Sequence, residues 1–543
     1  MRTLRTVLFV LIATAITAGV AACATTASSV SEGDPTESEP ESDASEARQV
    51  TILYVADLHA QIEPHPELFW SDDGEDRLEI AGGFARVTEA INQIREERGG
   101  DVIVLDGGDT IQGSGVGALS EGEALVPVLN AMGFDAMLPG NWEVGYGPDV
   151  LRERMAQLDY SVFVANLRDE ASGERLFPPY HIQDVAGVRI AVVGYTDPDV
   201  PERQPPAYSK GLSYDDAEEL PALIEEVRRD HDADVVLLLS HIGLAKAVAL
   251  TDLVPDIDVH LSSDTHERTY EPLTQAGTWV VEPGAFGSFL GRLDLWVQDG
   301  EVVDKSWELI ELTADAFDED PEIRALIDEA TAPYKEELGE IVGHSSSVLA
   351  RHNVIETTLD HLLADALRDV TGTEIALSNG FRFGNPLPPG PIRESDLWNF
   401  YPVVTQLKTG KVTGAQIHAF WERELENVFA TDATQRFGGW IPRPSGMTIT
   451  FEAKAPAGER VREILVHGEP LEHDRLYTLT ACEREGEHPD TLCRIPNARD
   501  TEIVEVDAHE AVRLYLQQHE EVGRDYEGRV IGLDLPRILR SQM

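Results

Sequence analysis

The sequence predicts an α/β chain of two large domains behind a short export segment. Three observations lead there. Apolar runs of strand length alternate with stretches whose apolar residues recur every three or four positions. The runs stop on glycines and metal-competent side chains. The 543 residues also exceed what one hydrophobic core accommodates.

The chain opens with Met1-Arg-Thr-Leu-Arg5 and the apolar run Val7 to Val20, a charged start and an apolar core too short to span a bilayer as a mature helix. This predicts an export signal. It ends in Val20-Ala21-Ala22-Cys23, small residues before a cysteine as in a bacterial lipobox, so cleavage is expected to leave Cys23 lipid-modified. Ordinary signal peptidase cleavage nearby is the alternative. Residues 24–49, rich in Ser, Thr, Glu and Asp, bury too little to fold and read as a disordered acidic tether. The expected location is the periplasm or cell surface, with contact to the membrane through a lipid anchor only. With 98 acidic and 43 basic residues, the formal charge of −55 argues against a nucleic-acid polymer as partner. The acidity is either a solvated surface or an adaptation to high salt, where charges are screened over about 3 Å at roughly 1 M.

Val50–Val55 is a compact apolar strand that delivers Asp57 and His59. Phe84, Val87, Ile91 and Ile94 form one face of a helix stopped by Gly99-Gly100. The next strand, Val102-Ile-Val-Leu105, runs into Asp-Gly-Gly and ends on Asp109, the candidate for a carboxylate shared by two metal ions. A second helix is expected near 121–132, then a strand at Asp135–Leu138 that turns on glycine and presents Asn141. Further strands are expected at Tyr160–Ala165, Arg189–Gly194, Val235–Leu239, Ile257–Leu261 and Trp279–Glu282. Of these, Val235–Leu239 delivers Ser240-His241 and Ile257–Leu261 delivers Asp264-Thr-His266. In an open α/β sheet the C-terminal strand ends line one crevice, so ligands from successive strand ends converge there. The first domain is expected over 50–317, a linker helix over 318–342 and a second domain over 343–535. That second domain includes a helix through Leu359, Leu362, Leu363 and Leu367, a strand at Glu374–Leu377 and Ser378-Asn-Gly-Phe-Arg382. Substrate belongs in the cleft between the two domains. Cys482 and Cys493, in an exported chain, are expected to form a disulfide rather than a metal site.

Asp57-x-His59, Gly108-Asp109, Gly140-Asn141, Ser240-His241 and Thr265-His266 resemble the calcineurin-like metallophosphoesterase signature, and Asn379-Gly-Phe-Arg382 is similar to the C-terminal domain of bacterial 5′-nucleotidases. The resemblance implies a four-layer α/β/β/α metallophosphoesterase domain followed by a smaller α+β substrate-binding domain. It also implies two divalent ions, Mn, Zn or Mg, that activate water against phosphate esters. By position, Asp57, His59, Asp109 and His266 would hold one ion, and Asp109, Asn141, His241 and Asp264 the other. The expected catalytic residues are Asp109, Asn141, His241 and Arg382. Asn379, Arg382 and Trp440 are expected to contact a small anionic substrate, with Trp440 as one wall of a base clamp or simply core.

The chain departs from the nucleotidase pattern at three places. Trp142 and Gly145 stand where a proton-donating histidine and its orienting aspartate usually lie, and Asp264 stands for a usual histidine ligand. Trp142-Glu143, Asp57-Leu-His-Ala-Gln61 and Ser378-Asn-Gly-Phe-Arg382 are also similar to the thiosulfohydrolase branch of bacterial sulfur oxidation, whose partner is a sulfur-loaded carrier protein. Its sulfur leaving group needs little protonation, whereas an alkoxide without general acid help forfeits about 10²–10⁴-fold in rate. A nucleotide or phosphate ester hydrolase is the first reading and the thiosulfohydrolase-like enzyme the second. A non-catalytic lipid-anchored nucleotide- or phosphate-binding protein is the third.

Overall fold

Two six-stranded sheets face each other across the main core. In the first, β1 (Arg48–Val55) pairs in parallel with β2 (Val102–Asp106), which is followed by β3 (Ala136–Met137) and Ser161–Val162. The antiparallel strands Phe289–Gln298 and Glu301–Glu311 close its other edge. In the second, β4 (Val188–Thr196), β5 (Val235–His241), β6 (Val259–Ser263) and Thr278–Val281 run parallel, with antiparallel strands at both edges. The computed structural model describes residues 46–70, 77–351, 353–378, 381–436, 440–524 and 528–535. The export signal, Cys23, most of the acidic tether and Asn379 lie outside these residues.

Alternation along β5 explains the layering. Val235, Leu237 and Leu239 join the core between the sheets, while Val236 and Leu238 pack with Leu220, Leu223, Ile224 and Val227 of the outer helix Leu220–Asp230. On the opposite side α1 (Phe84–Glu97) packs Phe84, Val87 and Ile91 into the main core. The result is the four-layer α/β/β/α domain. The smaller second domain is α+β. A five-stranded sheet includes Ile375–Leu377, Leu476–Cys482 and Gln406–Thr413, a four-stranded sheet lies beyond it, and the helix Thr358–Thr371 packs on the first.

Several element boundaries move. The tether gives up Arg48 and Gln49, because their backbones continue the ladder opposite Val297 and Trp296. The expected single helix at 318–342 is two helices, Pro321–Thr331 and Lys335–Leu338, parted at Pro333, which has no N–H to continue a helix. Ile323 and Ile327 of the first helix belong to the first domain's core, and a strand at Ile341–Ser345 already starts within the expected linker. The expected helix at 121–132 is a 3-10 turn, Glu123–Leu125, running into Val126–Ala131, because Gly122 takes φ 78°. The strand at 160–165 shrinks to Ser161–Val162. Among the described residues no helix is long and apolar enough to cross a membrane.

Candidate metal centre

Asp57, His59, Asp109, Asn141, His241 and Asp264 are almost fully buried at the C-terminal ends of β1, β2, β3, β5 and β6, and His266 follows Asp264. Five of these seven take left-handed backbone: Asp57 (φ 52°), His59 (47°), Asp109 (56°), Asp264 (92°) and His266 (57°). Such conformations cost on the order of 1–3 kcal/mol each for non-glycine residues and persist where the surroundings enforce them. Here they turn each side chain back over the strand end it has just left. Glycine is required at 140 for a different reason. A Cβ there would stand 2.4 Å from Asp109 Oδ1 and 2.6 Å from His241 Cε1.

The hydrogen bonds fix which atoms face inward. His59 Nδ1 donates to the Gln112 carbonyl (3.1 Å) and His241 Nδ1 to the Gly107 carbonyl (2.7 Å), so in each neutral ring Nε2 carries the lone pair. His59 Nε2 lies 3.1 Å from His266 Nε2, and His241 Nε2 lies 3.2 Å from Asp109 Oδ2 and 3.3 Å from Asn141 Oδ1. Asp57 Oδ1 sits 3.6 Å from His266 Nε2 and 3.9 Å from His241 Nε2, with no hydrogen-bond donor of its own. Acceptors packed against acceptors call for a proton or a metal cation between them. Two ligand triads result, Asp57–His59–His266 and Asp57–Asp109–His241, each with its ligand atoms within 4.8 Å of one another. A donor set of imidazole nitrogens, carboxylates and one amide oxygen fits divalent Mn, Zn or Mg. The residue common to both triads is Asp57 rather than Asp109, although Asp109 Oδ2 also lies 3.8 Å from His59 Nε2.

Electrostatics follow the packing. Burial raises the Asp57 carboxyl well above its ordinary range and lowers His59 and His266. Burial also opposes a charged His241, but the carboxylates of Asp109, Asp57 and Asp264 outweigh it and raise that imidazole.

Asp264, expected as a ligand, belongs to neither triad. Arg203 Nη2 holds Oδ1 at 2.9 Å, while Arg382 Nη2 reaches its main-chain carbonyl at 3.1 Å and Oδ2 at 3.4 Å. Two guanidiniums compete successfully for a carboxylate that stands where a neutral imidazole would have had no attraction for them. Glu143, the residue after Trp142, is a clamp. Its buried carboxylate accepts from the backbone N–H of Asp109 (2.9 Å), Thr110 (2.6 Å) and Gly140 (2.7 Å), tying two ligand loops together.

The centre opens into a cavity of about 190 Å³ between the two domains. Trp142 lies on its wall with its ring 5.9 Å from that of Phe381, and Arg382 and Trp440 come from the second domain. Trp440 is half-buried, with the Arg443 guanidinium 5.6 Å from its ring. Cys482 and Cys493 line the same cavity as free thiols, which corrects the expected disulfide. The ladder opposite Leu407 fixes the direction of Cys482, and burial pushes both thiols up.

Arg203 is the site residue that sequence reasoning missed. A signal was available, because the apolar run of β4 also stops at an acid, Asp197, and that fully buried carboxylate is the second partner of Arg203.

Comparison with known proteins agrees with this architecture. Residues 50–268 match the calcineurin-like phosphoesterase family and residues 339–482 the 5′-nucleotidase C-terminal domain. A 5′-nucleotidase of Vibrio cholerae is 26% identical over 521 residues, covering 86% of this chain and 88% of its own. Among solved structures, the sulfate thiohydrolase SoxB of Thermus thermophilus superposes with a TM-score of 0.81 at 27% identity, over 92% of this chain and 98% of that one. A 5′-nucleotidase precursor from the same species gives 0.77 at 23% identity, over 90% and 100%.

Proposed function

We propose, on the premise that this chain belongs to the calcineurin-like phosphoesterases and carries a 5′-nucleotidase C-terminal domain, that it is an exported dinuclear-metal hydrolase of phosphate esters such as nucleotides. The observation that carries the reading is the convergence of two carboxylates and three imidazole nitrogens in a cleft whose opposite wall supplies Arg382. Asp57, His59 and His266 would hold one ion, and Asp57, Asp109, His241 and Asn141 the other. Divalent ions bound there would lower the pKa of a water and offset charge on the substrate oxyanion. The protein's own contribution is positional. Glu143 locks the Asp109 and Gly140 loops, Trp142 N donates to Asp109 Oδ1 at 2.6 Å, and Arg382 offers a guanidinium to the anion.

One observation favours a second reading, a thiosulfohydrolase-like enzyme acting on a sulfur-loaded carrier. The position of the proton donor holds an indole packed near Phe381, which suits a leaving group that needs no proton. Elemental analysis of the purified protein, with phosphate and sulfate release measured on nucleoside monophosphates, aryl phosphates and thiosulfonates, tests both. Phosphate release with about two metal ions per chain supports the first reading, and sulfate release alone supports the second. A metal-loaded protein that releases neither is a binding protein.

Export through a lipid anchor belongs to the same proposal, on the strength of the apolar run and Cys23. Cys23→Ala is expected to move the protein from the membrane to the soluble fraction with unchanged specific activity, since a single acyl chain binds only marginally and multiple chains are needed for stable attachment. Persistent membrane association would point to another anchor.

A further inference from the structure

A line of alternating charge runs from the surface into the cleft. Lys246 Nζ sits 2.6 Å from Asp199 and 3.9 Å from Asp197, Asp197 pairs with Arg203, Arg203 pairs with Asp264, and Asp264 pairs with Arg382. The two arginines come from different domains. Arg203 ends the short helix Val200–Arg203 after β4, and Arg382 lies in the loop after the strand Ile375–Leu377. Both line the cavity that also contains His59, Asp109 and His266, and their side chains are only 11% and 10% exposed. Arg484 braces the same corner, donating to the carbonyls of Arg203 (3.2 Å) and Gln204 (3.1 Å).

We propose that Asp264 is a positioning residue rather than a metal ligand, and that it holds Arg203 and Arg382 as a two-sided clamp for the unesterified oxygens of a tetrahedral dianion. Arg203 is thereby assigned an anion-binding and specificity-determining role. Among the described residues Arg382 is engaged through Nη2 alone, which leaves Nη1 and Nε to meet an incoming oxyanion. Arg203 uses both Nη atoms on Asp197 and Asp264, which fixes its plane against the cavity wall. A flexible arginine loses rotamer entropy when it binds, and fixing the guanidinium beforehand removes that cost. Burial alone would raise the Asp264 carboxyl, but Arg203 and Arg382 hold it far below the usual carboxylate range.

This inference rests on the hydrolase reading above, and the experiment separates the two. The metal-loaded wild type, Asp264→Asn, Arg203→Met and Arg203→Lys are compared for metal content by elemental analysis and for inhibition by inorganic phosphate and by sulfate. All three variants are expected to keep the wild-type metal content. Asp264→Asn and Arg203→Met are expected to weaken inhibition about tenfold or more, the size of a lost charge-assisted hydrogen bond. KM should rise more than kcat falls, and Arg203→Lys should recover part of the loss by restoring the charge without the fork. Loss of a metal equivalent in Asp264→Asn would show that Asp264 is a ligand after all and overturn the proposal. Unchanged inhibition in Arg203→Met, or a wild type that neither anion inhibits, would overturn it as well. A wild type that carries no metal and hydrolyses nothing would instead sink the reading on which the clamp rests.

Discussion

The two walls of the cleft are held by different physics. On the metal side, Asp57, Asp109, Asn141, His241 and His266 are placed by strand ends and left-handed backbone, so their positions are set by the two sheets behind them. On the anion side, Arg203, Arg382 and the loop that bears Arg382 are placed by buried charge. Asp360 illustrates this. It takes Ser378 Oγ at one end of that loop and Arg351 Nε at 3.2 Å, while Arg351 Nη1 donates to the Phe383 carbonyl at the other end (3.1 Å) and Arg443 Nη1 sits 3.2 Å from the second oxygen. A backbone-built wall is rigid because the sheet is rigid. A charge-built wall is rigid only while every partner is present.

The largest expected effect breaks the metal wall. Asp109→Ala should take hydrolysis to background and lower metal content, because Asp109 Oδ2 lies within 3.2 Å of His241 Nε2 and 3.8 Å of His59 Nε2 and no other carboxylate replaces it there. The fold should survive, since β2 and its neighbours keep their ladder. A variant with full activity and full metal content would remove the centre from the account.

The next breaks the charge-built wall. Asp360→Asn removes the carboxylate that two buried guanidiniums share, a change that typically costs about 3–5 kcal/mol. Burial alone would raise this carboxyl, but Arg351 and Arg443 hold it below its ordinary value. Denaturant unfolding should show the loss, and metal content should be unaffected. If stability is unchanged, the loop is held by something other than this cluster.

The contrast also explains what the sequence made legible. Strand ends announce themselves, because an apolar run that stops at Asp-x-His or Gly-Asp is a local pattern. The α/β alternation and most of the metal-side residues followed from it, whereas the four-layer domain followed from the family resemblance. Ion pairs between residues 203 and 264, or 264 and 382, leave no local trace, and the acid that ends β4 does not by itself point to Arg203. The boundaries that moved, at Pro333 and Gly122, did so where a single residue's backbone preference cut a hydrophobic period that otherwise read as continuous helix.

A smaller effect tests whether the sheet behind the metal wall is as insensitive to charge as this contrast implies. His260 in β6 is fully buried between the hydroxyls of Ser240 and Thr251, each 2.8 Å away, and burial lowers its pKa to about 3. The unfolded chain takes up a proton below about pH 6.5 and the folded chain does not. Its stabilising contribution is therefore complete above that pH and is lost as pH falls toward 3, amounting to about 2 kcal/mol at pH 5. His260→Gln should flatten the acid limb of a stability–pH curve by that amount, whatever it does to stability at neutral pH. An unaltered acid limb would mean that the imidazole titrates alike in both states.

The smallest effect joins the two walls at Trp142. The indole stands where a proton donor would, and Gly145 stands where its orienting carboxylate would. Replacing both, Trp142→His with Gly145→Asp, should therefore favour substrates with poor leaving groups. Space limits the gain. A Cβ on Gly145 meets the Trp142 carbonyl at 3.0 Å and Gln112 Cγ at 3.3 Å. Removing the indole relieves neither contact, so the backbone and the Gln112 side chain must give by a few tenths of an ångström. A new acid in slightly wrong geometry captures only part of the usual 10²–10⁴-fold, so the expected gain is about tenfold on nucleoside monophosphates, with aryl phosphates little changed. The alternative is that Trp142 only packs against Phe381 to close the cavity wall, in which case the double variant slows every substrate alike. If the wild type already hydrolyses AMP efficiently with a bell-shaped pH profile, an acid exists elsewhere. It would not be Glu143, whose carboxylate is committed to three backbone N–H groups, and the charge-built wall would then be the place to look for it.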